Sequence, residues 1–149
     1  MGIMWDLIEN VKLPKMVKIR QNFDTTHLEN LEKALEKEFQ RPEISSRIFS
    51  GMKIALAVGS RGVAEIAEIT RIAVSELRKR GAEPFVVPAM GSHGGARAEG
   101  QLEVLAGLGV TEEYIKCKIC SSMDVYEIGT FRIDETQDEV KVYFDKYAM

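Results

Sequence analysis

The hydrophobic positions in the middle of the chain follow two patterns in turn, short apolar runs and helical spacing. Lys53 to Val58 is almost entirely apolar, which is typical of a strand buried on both faces. Apolar residues then recur at helical spacing from Val63 to Leu77, and Arg78-Lys79-Arg80-Gly81 carries the basic last turn and the glycine that end helices. A second strand, Glu83 to Pro88, and a second helix, from about Ala96 to Ala106, repeat the order. This order predicts parallel strands joined by right-handed crossovers.

The remaining hydrophobic positions predict shorter elements on either side of this unit. Alternating apolar residues predict a strand from Met16 to Phe23. Thr26 and Glu29 have the spacing of a capping box at the start of a helix that runs to about Phe39, and Thr111-Glu112-Glu113-Tyr114 predicts one further helical turn. Short strands are predicted at Cys117–Ser121, Val125–Ile128, Phe131–Ile133 and Val140–Phe144, with a hairpin turn over Asp134–Glu139.

These elements predict an α/β fold, a parallel-stranded Rossmann-like three-layer domain with additional short strands near its C-terminus. Residues 1–149 suit a single domain of ordinary size, and residues 1–15 are expected to form an N-terminal arm packed on it. Asp145 has the character of a helix N-cap close to the last residue of the chain. We therefore expect the chain to be the N-terminal domain of a longer, two-domain protein.

Composition and charge narrow the classes of function. Hydrophobic residues make up 45% and charged residues 29% of the 149 positions, as in ordinary globular proteins. The net charge of −3 gives no general attraction to nucleic acid or to anionic lipid. No apolar run approaches the roughly 18–20 residues that cross a bilayer, and the first residues lack the pattern of a signal peptide. With its 2 cysteines, the sequence predicts a cytoplasmic protein without nucleic-acid or membrane partners, whereas homo-oligomerisation stays open.

The candidate chemistry lies in two glycine-framed loops, Gly59-Ser60-Arg61-Gly62 and Gly91-Ser92-His93-Gly94-Gly95. Each loop follows a predicted strand and precedes a predicted helix, which is where parallel sheets bind ligands. The Arg61 guanidinium suits a carboxylate or a phosphate, and the His93 imidazole can accept or donate a proton near neutral pH. If the two strands are neighbours, both side chains face one crevice. Such a crevice would hold an anionic substrate by one end and move a proton at the other.

Simpler interpretations compete with this one. Both loops could be ordinary strand-to-helix turns whose glycines serve backbone geometry alone. Their spacing matches neither the dinucleotide fingerprint nor the phosphate-binding P-loop, and Ser92 beside His93 makes no acyl-transfer triad. His27 suits a surface or capping position near a helix start. Cys117 and Cys120 are interpreted as buried thiols, because no second ligand pair accompanies them.

The two loops resemble those of a known family. Val58-Gly59-Ser60-Arg61-Gly62, followed by the segment from Pro88 to Gly95, is similar to the N-terminal domain of the nickel-dependent lactate racemases. The similarity is closer to an uncharacterised branch of that family. It runs from about Lys53 to the end of the chain, and the His93 loop with Ala98-Glu99-Gly100-Gln101 is its more specific part.

The resemblance implies an enzyme with its active site in the cleft between two α/β domains. Members of the family interconvert stereoisomers of α-hydroxy acids by hydride transfer to and from a nickel pincer nucleotide. By motif position, His93 corresponds to one of two acid/base histidines and Arg61 to the arginine that binds the substrate carboxylate. Ser60, Gly91 and Ser92 are expected to contact the cofactor.

The partners that the resemblance implies are a small hydroxy-carboxylate substrate and the C-terminal domain of the same protein. The covalent lysine, the nickel-binding histidine and the second catalytic histidine of the family lie beyond the last residue of this chain. No metal ligand is therefore expected from the chain itself, and the chain alone is expected to be inactive.

The chain differs from the characterised racemases in both loops. They carry Asp-x-Thr-Arg in the first loop, where this chain has Val58 and Ser60, and they usually carry Arg where this chain has Gly94. Two alternatives accompany the racemase or epimerase. One is a non-catalytic domain that binds a small carboxylate or a sugar acid through Arg61, and the other is a structural α/β domain without a function of its own.

Overall fold

A computed structural model of the protein describes residues 11–12, 15–133, 136 and 138–147. The elements in chain order are α1 (Leu31–Phe39), α2 (Pro42–Ser45), β1 (Lys53–Val58), α3 (Ile66–Lys79), β2 (Glu83–Pro88), a 3₁₀ turn (His93–Ala96), α4 (Ala98–Gly107), α5 (Glu112–Ile115), β3 (Val125–Arg132) and β4 (Glu139–Asp145). The architecture is mixed α/β, with one parallel and one antiparallel strand pair in the described ranges. No helix within these ranges is long and apolar enough to cross a membrane.

The central parallel pair forms where the hydrophobic pattern predicts it. β1 and β2 are hydrogen-bonded in parallel, in a register that sets Val58 opposite Pro88. Both strands have the predicted bounds, and the helical crossover α3 connects them. Because the strands are parallel and end in register, the two glycine loops leave the sheet at the same edge.

The strand predicted at Cys117–Ser121 is reduced to a single parallel bridge between Ile119 and Val86 of β2. The Ile119 amide donates to the Glu112 carboxylate in α5 at 2.7 Å. This amide is therefore not available for a strand ladder. Cys117 is buried, its thiol donates to a backbone carbonyl in β2 at 3.1 Å, and burial raises its pKa. The interpretation as a buried thiol is therefore confirmed for Cys117, whereas Cys120 is only half-buried.

The hydrophobic core packs the parallel pair against the helices that follow it. It consists of Val58, Val74, Val86, Met90, Leu105, Val110, Ile115 and Cys117. Val58 and Met90 are only 5% and 8% exposed, and each lies directly before a glycine loop. Burying an aliphatic side chain of this size contributes about 1.5–3 kcal/mol. The first residue of each loop is therefore attached to a part of the chain that the core holds in place.

β3 and β4 form the antiparallel hairpin predicted near the C-terminus. The predicted strands Val125–Ile128 and Phe131–Ile133 are joined into one, because Gly129 pairs with Val142 and the ladder passes a bulge between Glu127 and Gly129. All residues of the two strands are exposed except Asp145, the last residue of β4. The turn predicted at Asp134–Glu139 lies partly outside the described residues.

The strand predicted from Met16 to Phe23 is wrong. This segment is in neither a helix nor a strand, and Val17 and Ile19 are 82% and 84% exposed. Alternating side chains are not sufficient for a strand, because its N–H and C=O groups need a neighbouring strand to pair with. No strand in the described ranges pairs with this segment. The N-terminal arm predicted at residues 1–15 falls mostly outside the described residues.

The capping prediction at Thr26 is also corrected. Helix α1 begins at Leu31, because Asn30 is its N-cap and accepts from the Lys33 amide at 2.8 Å. Thr26 does not cap it, since the Asp24 carboxylate accepts hydrogen bonds from both the amide and the hydroxyl of Thr26. Asp145 ends β4 and accepts from the amide two residues later, as in a turn.

Candidate functional site

The two glycine loops begin side by side at the carboxyl edge of the parallel pair. The Ala89 amide donates to the Val58 carbonyl at 2.8 Å, so the hydrogen bonding between the two strands continues to the residues just before the loops. Gly59 lies at the same crossing, where a β-carbon would lie 3.8 Å from the Ala89 carbonyl oxygen. The prediction that both loops share one edge of the sheet is confirmed.

Ser60, Arg61 and His93 meet at this edge. The Ser60 Oγ atom lies 2.6 Å from His93 Nδ1, and the Arg61 Nη2 atom contacts His93 Nε2 on the other side of the ring. Ser60 and His93 are half-buried, whereas Arg61 is exposed. The two nitrogens of one imidazole are thus contacted by two consecutive residues of the other loop.

Sequence reasoning placed Arg61 with His93 but missed the contact between Ser60 and His93. It considered only Ser92 as a hydroxyl partner because Ser92 is adjacent in sequence, and Ser92 is exposed with no capping hydrogen bond from its side chain. The register of the parallel strands would have indicated the contact between Ser60 and His93. Ser60 follows Val58 by two positions, and Val58 lies at the edge from which the His93 loop also leaves.

The loop that carries His93 is fixed by a close approach of backbone to backbone. Gly94, Gly95 and Ala96 have φ angles of +65°, +68° and +52°, so the 3₁₀ turn is left-handed there and α4 begins at Ala98, after the predicted Ala96. A β-carbon at Gly94 would overlap the carbonyl group of Gly100, and one at Gly100 would overlap the carbonyl oxygen of Gly94. This contact requires glycine on both sides.

A buried side chain adds a second support beneath this loop. The Gln101 side chain is 6% exposed, and its Nε2 atom donates to the Gly91 carbonyl at 2.9 Å. Gly100 and Gln101 belong to the motif that carries the family resemblance, but their structural role in holding His93 was not predicted.

The loop that carries Arg61 has fewer constraints. Gly62 has a φ angle of +82°, and no atom lies within 4 Å of the place of its β-carbon. The loop extends to Glu65, which is left-handed with a φ angle of +55°, so α3 begins at Ile66 and not at the predicted Val63. Arg61 forms no ion pair with a carboxylate in the described part of the chain.

The first turn of α3, which follows the Arg61 loop, is tied to α5. Tyr114 donates to the Glu68 carboxylate at 2.7 Å, and Arg71 forms two hydrogen bonds with the same carboxylate at 2.8 and 2.6 Å. The bonds from Arg71, and then from Tyr114, lower the pKa of Glu68 to about 2. The start of α3 is therefore anchored to α5 by polar contacts.

The other predicted site residues lie at the open rim or away from it. Gly91 and Ser92 are exposed, and no atom lies within 4 Å of the place of a β-carbon on Gly91. His27 is exposed before α1, with Nδ1 3.5 Å from the Thr25 carbonyl, as expected of a surface residue.

The donor set at this edge does not suit a metal ion. Its three meeting groups are a hydroxyl, a guanidinium and one imidazole, whereas protein metal sites combine several His, Cys, Asp or Glu ligands. Across the described ranges, no three such side chains lie together. We therefore assign no metal ligand among these residues.

Comparison with protein-family models, with curated proteins and with solved structures found no match for this chain.

Proposed function

We propose that the chain is the N-terminal, substrate-binding part of a cytoplasmic nickel-dependent racemase or epimerase of α-hydroxy acids. In this proposal, it is a Rossmann-like three-layer domain that works with a C-terminal domain of the same protein. The observation that carries the proposal is the contact of His93 with both Ser60 and Arg61 at the edge of the parallel sheet.

The substrate carboxylate binds to Arg61. A guanidinium offers a planar pair of N–H donors that matches a carboxylate, and the exposed Arg61 has no acidic partner among the described residues. His93 Nε2 lies against the same guanidinium, so a hydroxyl on the carbon next to the carboxylate falls within reach of this nitrogen.

The chemical role of His93 is to move the hydroxyl proton. His93 Nε2 would accept the proton of the substrate hydroxyl and later return it to the same oxygen. The nickel pincer nucleotide that the resemblance implies would supply the hydride acceptor, with its metal ligands outside the described residues. Ser60, Gly91 and Ser92 are proposed to line the side of the site that faces this nucleotide.

The differences from the characterised racemases have structural reasons. Val58, at the position of their aspartate, is 5% exposed and packs in the core. Gly94, at the position of their usual arginine, is required by the contact with Gly100. Both differences leave Arg61 and His93, the two residues on which the proposal depends, in contact at this edge.

A non-catalytic domain that binds small carboxylates is the second candidate, because Arg61, which has no acidic partner among the described residues, is sufficient for it. Binding by the 149-residue chain is measured by calorimetry for lactate, for propionate, which lacks the hydroxyl, and for lactamide, which lacks the carboxylate. We expect lactate to bind best and Arg61→Gln to weaken it at least tenfold, since a charged hydrogen bond contributes about 1.5–3 kcal/mol. Arg47→Gln, an exposed arginine before the opposite edge of the sheet, serves as the matched control.

Turnover distinguishes the two candidates. It is measured in the longer polypeptide that we propose, produced together with the cofactor-synthesis enzymes. His93→Asn should lose nearly all racemisation of the bound hydroxy acid, and His27→Asn should keep it. Binding that depends on Arg61 without any turnover would favour the non-catalytic domain, and lactate binding that ignores Arg61→Gln would contradict both.

A further inference from the structure

The contacts of His93 determine which of its nitrogens carries the proton. A guanidinium has only N–H donors, so His93 Nε2 must accept the hydrogen bond from Arg61 with its lone pair. A neutral imidazole with a bare Nε2 carries its proton on Nδ1. His93 Nδ1 therefore donates to the Ser60 Oγ atom at 2.6 Å, and the serine oxygen acts as the acceptor.

This assignment excludes one role for Ser60 and gives it another. A serine nucleophile needs a neighbouring imidazole nitrogen that accepts its proton, whereas the imidazole nitrogen that faces Ser60 already carries one. Ser60 is instead a positioning residue, which orients the ring of His93 and keeps the lone pair on Nε2. That lone pair is the one needed to accept the proton of a substrate hydroxyl.

In this state, however, the lone pair is occupied by Arg61. We infer that Arg61 is a releasable cap on His93, which closes the proton acceptor while the site is empty and opens it when a carboxylate draws the guanidinium away. This inference rests on the proposed function and adds a regulation of its site. A carboxylate competes well for Arg61, because two charged hydrogen bonds replace one bond to a neutral ring.

The two loops differ in a way that suits this exchange. His93 is half-buried in a loop fixed by Gly94, Gly100 and Gln101. Arg61 is exposed in a loop whose Gly62 has open space around it. The arginine can thus move to a ligand while the imidazole keeps its place. A molecule without a carboxylate would leave the base capped, so the device also favours acids over neutral alcohols.

The test reads the protonation of the ring directly by nitrogen-15 NMR of the His27→Asn chain, which leaves His93 as its single histidine. In buffer of about pH 8, we expect the ring proton on Nδ1 and a bare, hydrogen-bonded Nε2. Ser60→Ala should weaken this preference, because only the contact with Arg61 then maintains it, and Ser60→Thr, which keeps a hydroxyl, should restore it. Arg61→Met should move the Nε2 signal to that of a nitrogen without a donor, and Arg61→Lys should move it less.

Addition of lactate should move the Nε2 signal of the unaltered site and leave Nδ1 protonated, while lactamide should leave both signals in place. A proton on Nε2 in the free chain would overturn the inference. So would an Nε2 signal that ignores saturating lactate. If lactate affinity in that case still falls at least tenfold in Arg61→Gln, only the inference has failed, whereas unchanged affinity means that the proposed function has failed as well.

Discussion

The two glycine loops look alike in sequence, but they are built differently. The His93 loop turns through three left-handed residues, meets Gly100 backbone to backbone and receives a hydrogen bond from the buried Gln101. In the other loop, the Arg61 side chain is exposed, and the space that a β-carbon on Gly62 would occupy is open. A group that accepts a proton must keep its position, whereas a group that captures a ligand gains from freedom to move. The difference between the loops matches the roles proposed for their residues.

The largest expected effect is a difference in stability between alanine substitutions at the glycines of the two loops. Gly94→Ala adds a β-carbon that overlaps Gly100 in a left-handed position, and strain and overpacking together should cost about 3 kcal/mol or more of the free energy of unfolding. Gly62→Ala meets open space at a similar φ angle and should cost about 1–2 kcal/mol. Urea unfolding of both variants measures the difference. Equal losses would mean that the two loops are supported alike.

A smaller effect concerns the anchor behind the Arg61 loop and its dependence on pH. The folded pKa of Glu68 is lowered to about 2, so its contribution to stability is complete above the ordinary pKa of 4.5 and is lost as the pH falls toward 2. Tyr114→Phe removes one of the hydrogen bonds responsible and should reduce this loss. Because the Glu68 and Arg71 side chains are 34% and 37% exposed, we expect a difference of no more than about 1 kcal/mol.

Thermal unfolding of the Tyr114→Phe chain between pH 6 and about pH 2.5 makes this measurement. Tyr126→Phe, an exposed tyrosine on the hairpin, is the matched control and should follow the unaltered chain. If Tyr114→Phe also followed it, the tie between α3 and α5 would not contribute to the acid stability of the loop.

Elements whose formation depends on the hydrophobic pattern of their own residues were predictable from the sequence. The bounds of β1 and β2 follow from two apolar runs, and the parallel pairing follows from the helix between them. The segment from Met16 to Phe23 has an equally regular alternation, but it finds no partner strand in the described residues. At Thr26 the capping prediction failed because the helix begins later, at Leu31, where the Asn30 side chain accepts from the Lys33 amide and caps it.

The candidate site was predictable in its location and only partly in its contacts. Strand order was enough to bring Arg61 and His93 to one edge. The pairing of Ser60 with His93 depends on the exact path of two loops, and the sequence shows only that both contain small residues. The support from Gly100 also escaped prediction, because a close backbone approach leaves no mark beyond a glycine in an otherwise ordinary helix.

Arg61 and His93 are proposed to act as one site, and a double-mutant cycle tests this directly. Lactate affinity is measured for Arg61→Gln, His93→Asn and the double variant. Because the two side chains are in contact, we predict that the effects depart from additivity by about 1 kcal/mol or more. The cycle of Arg47→Gln with His93→Asn should be additive. Additivity within about 0.3 kcal/mol for the Arg61 cycle would contradict a shared site.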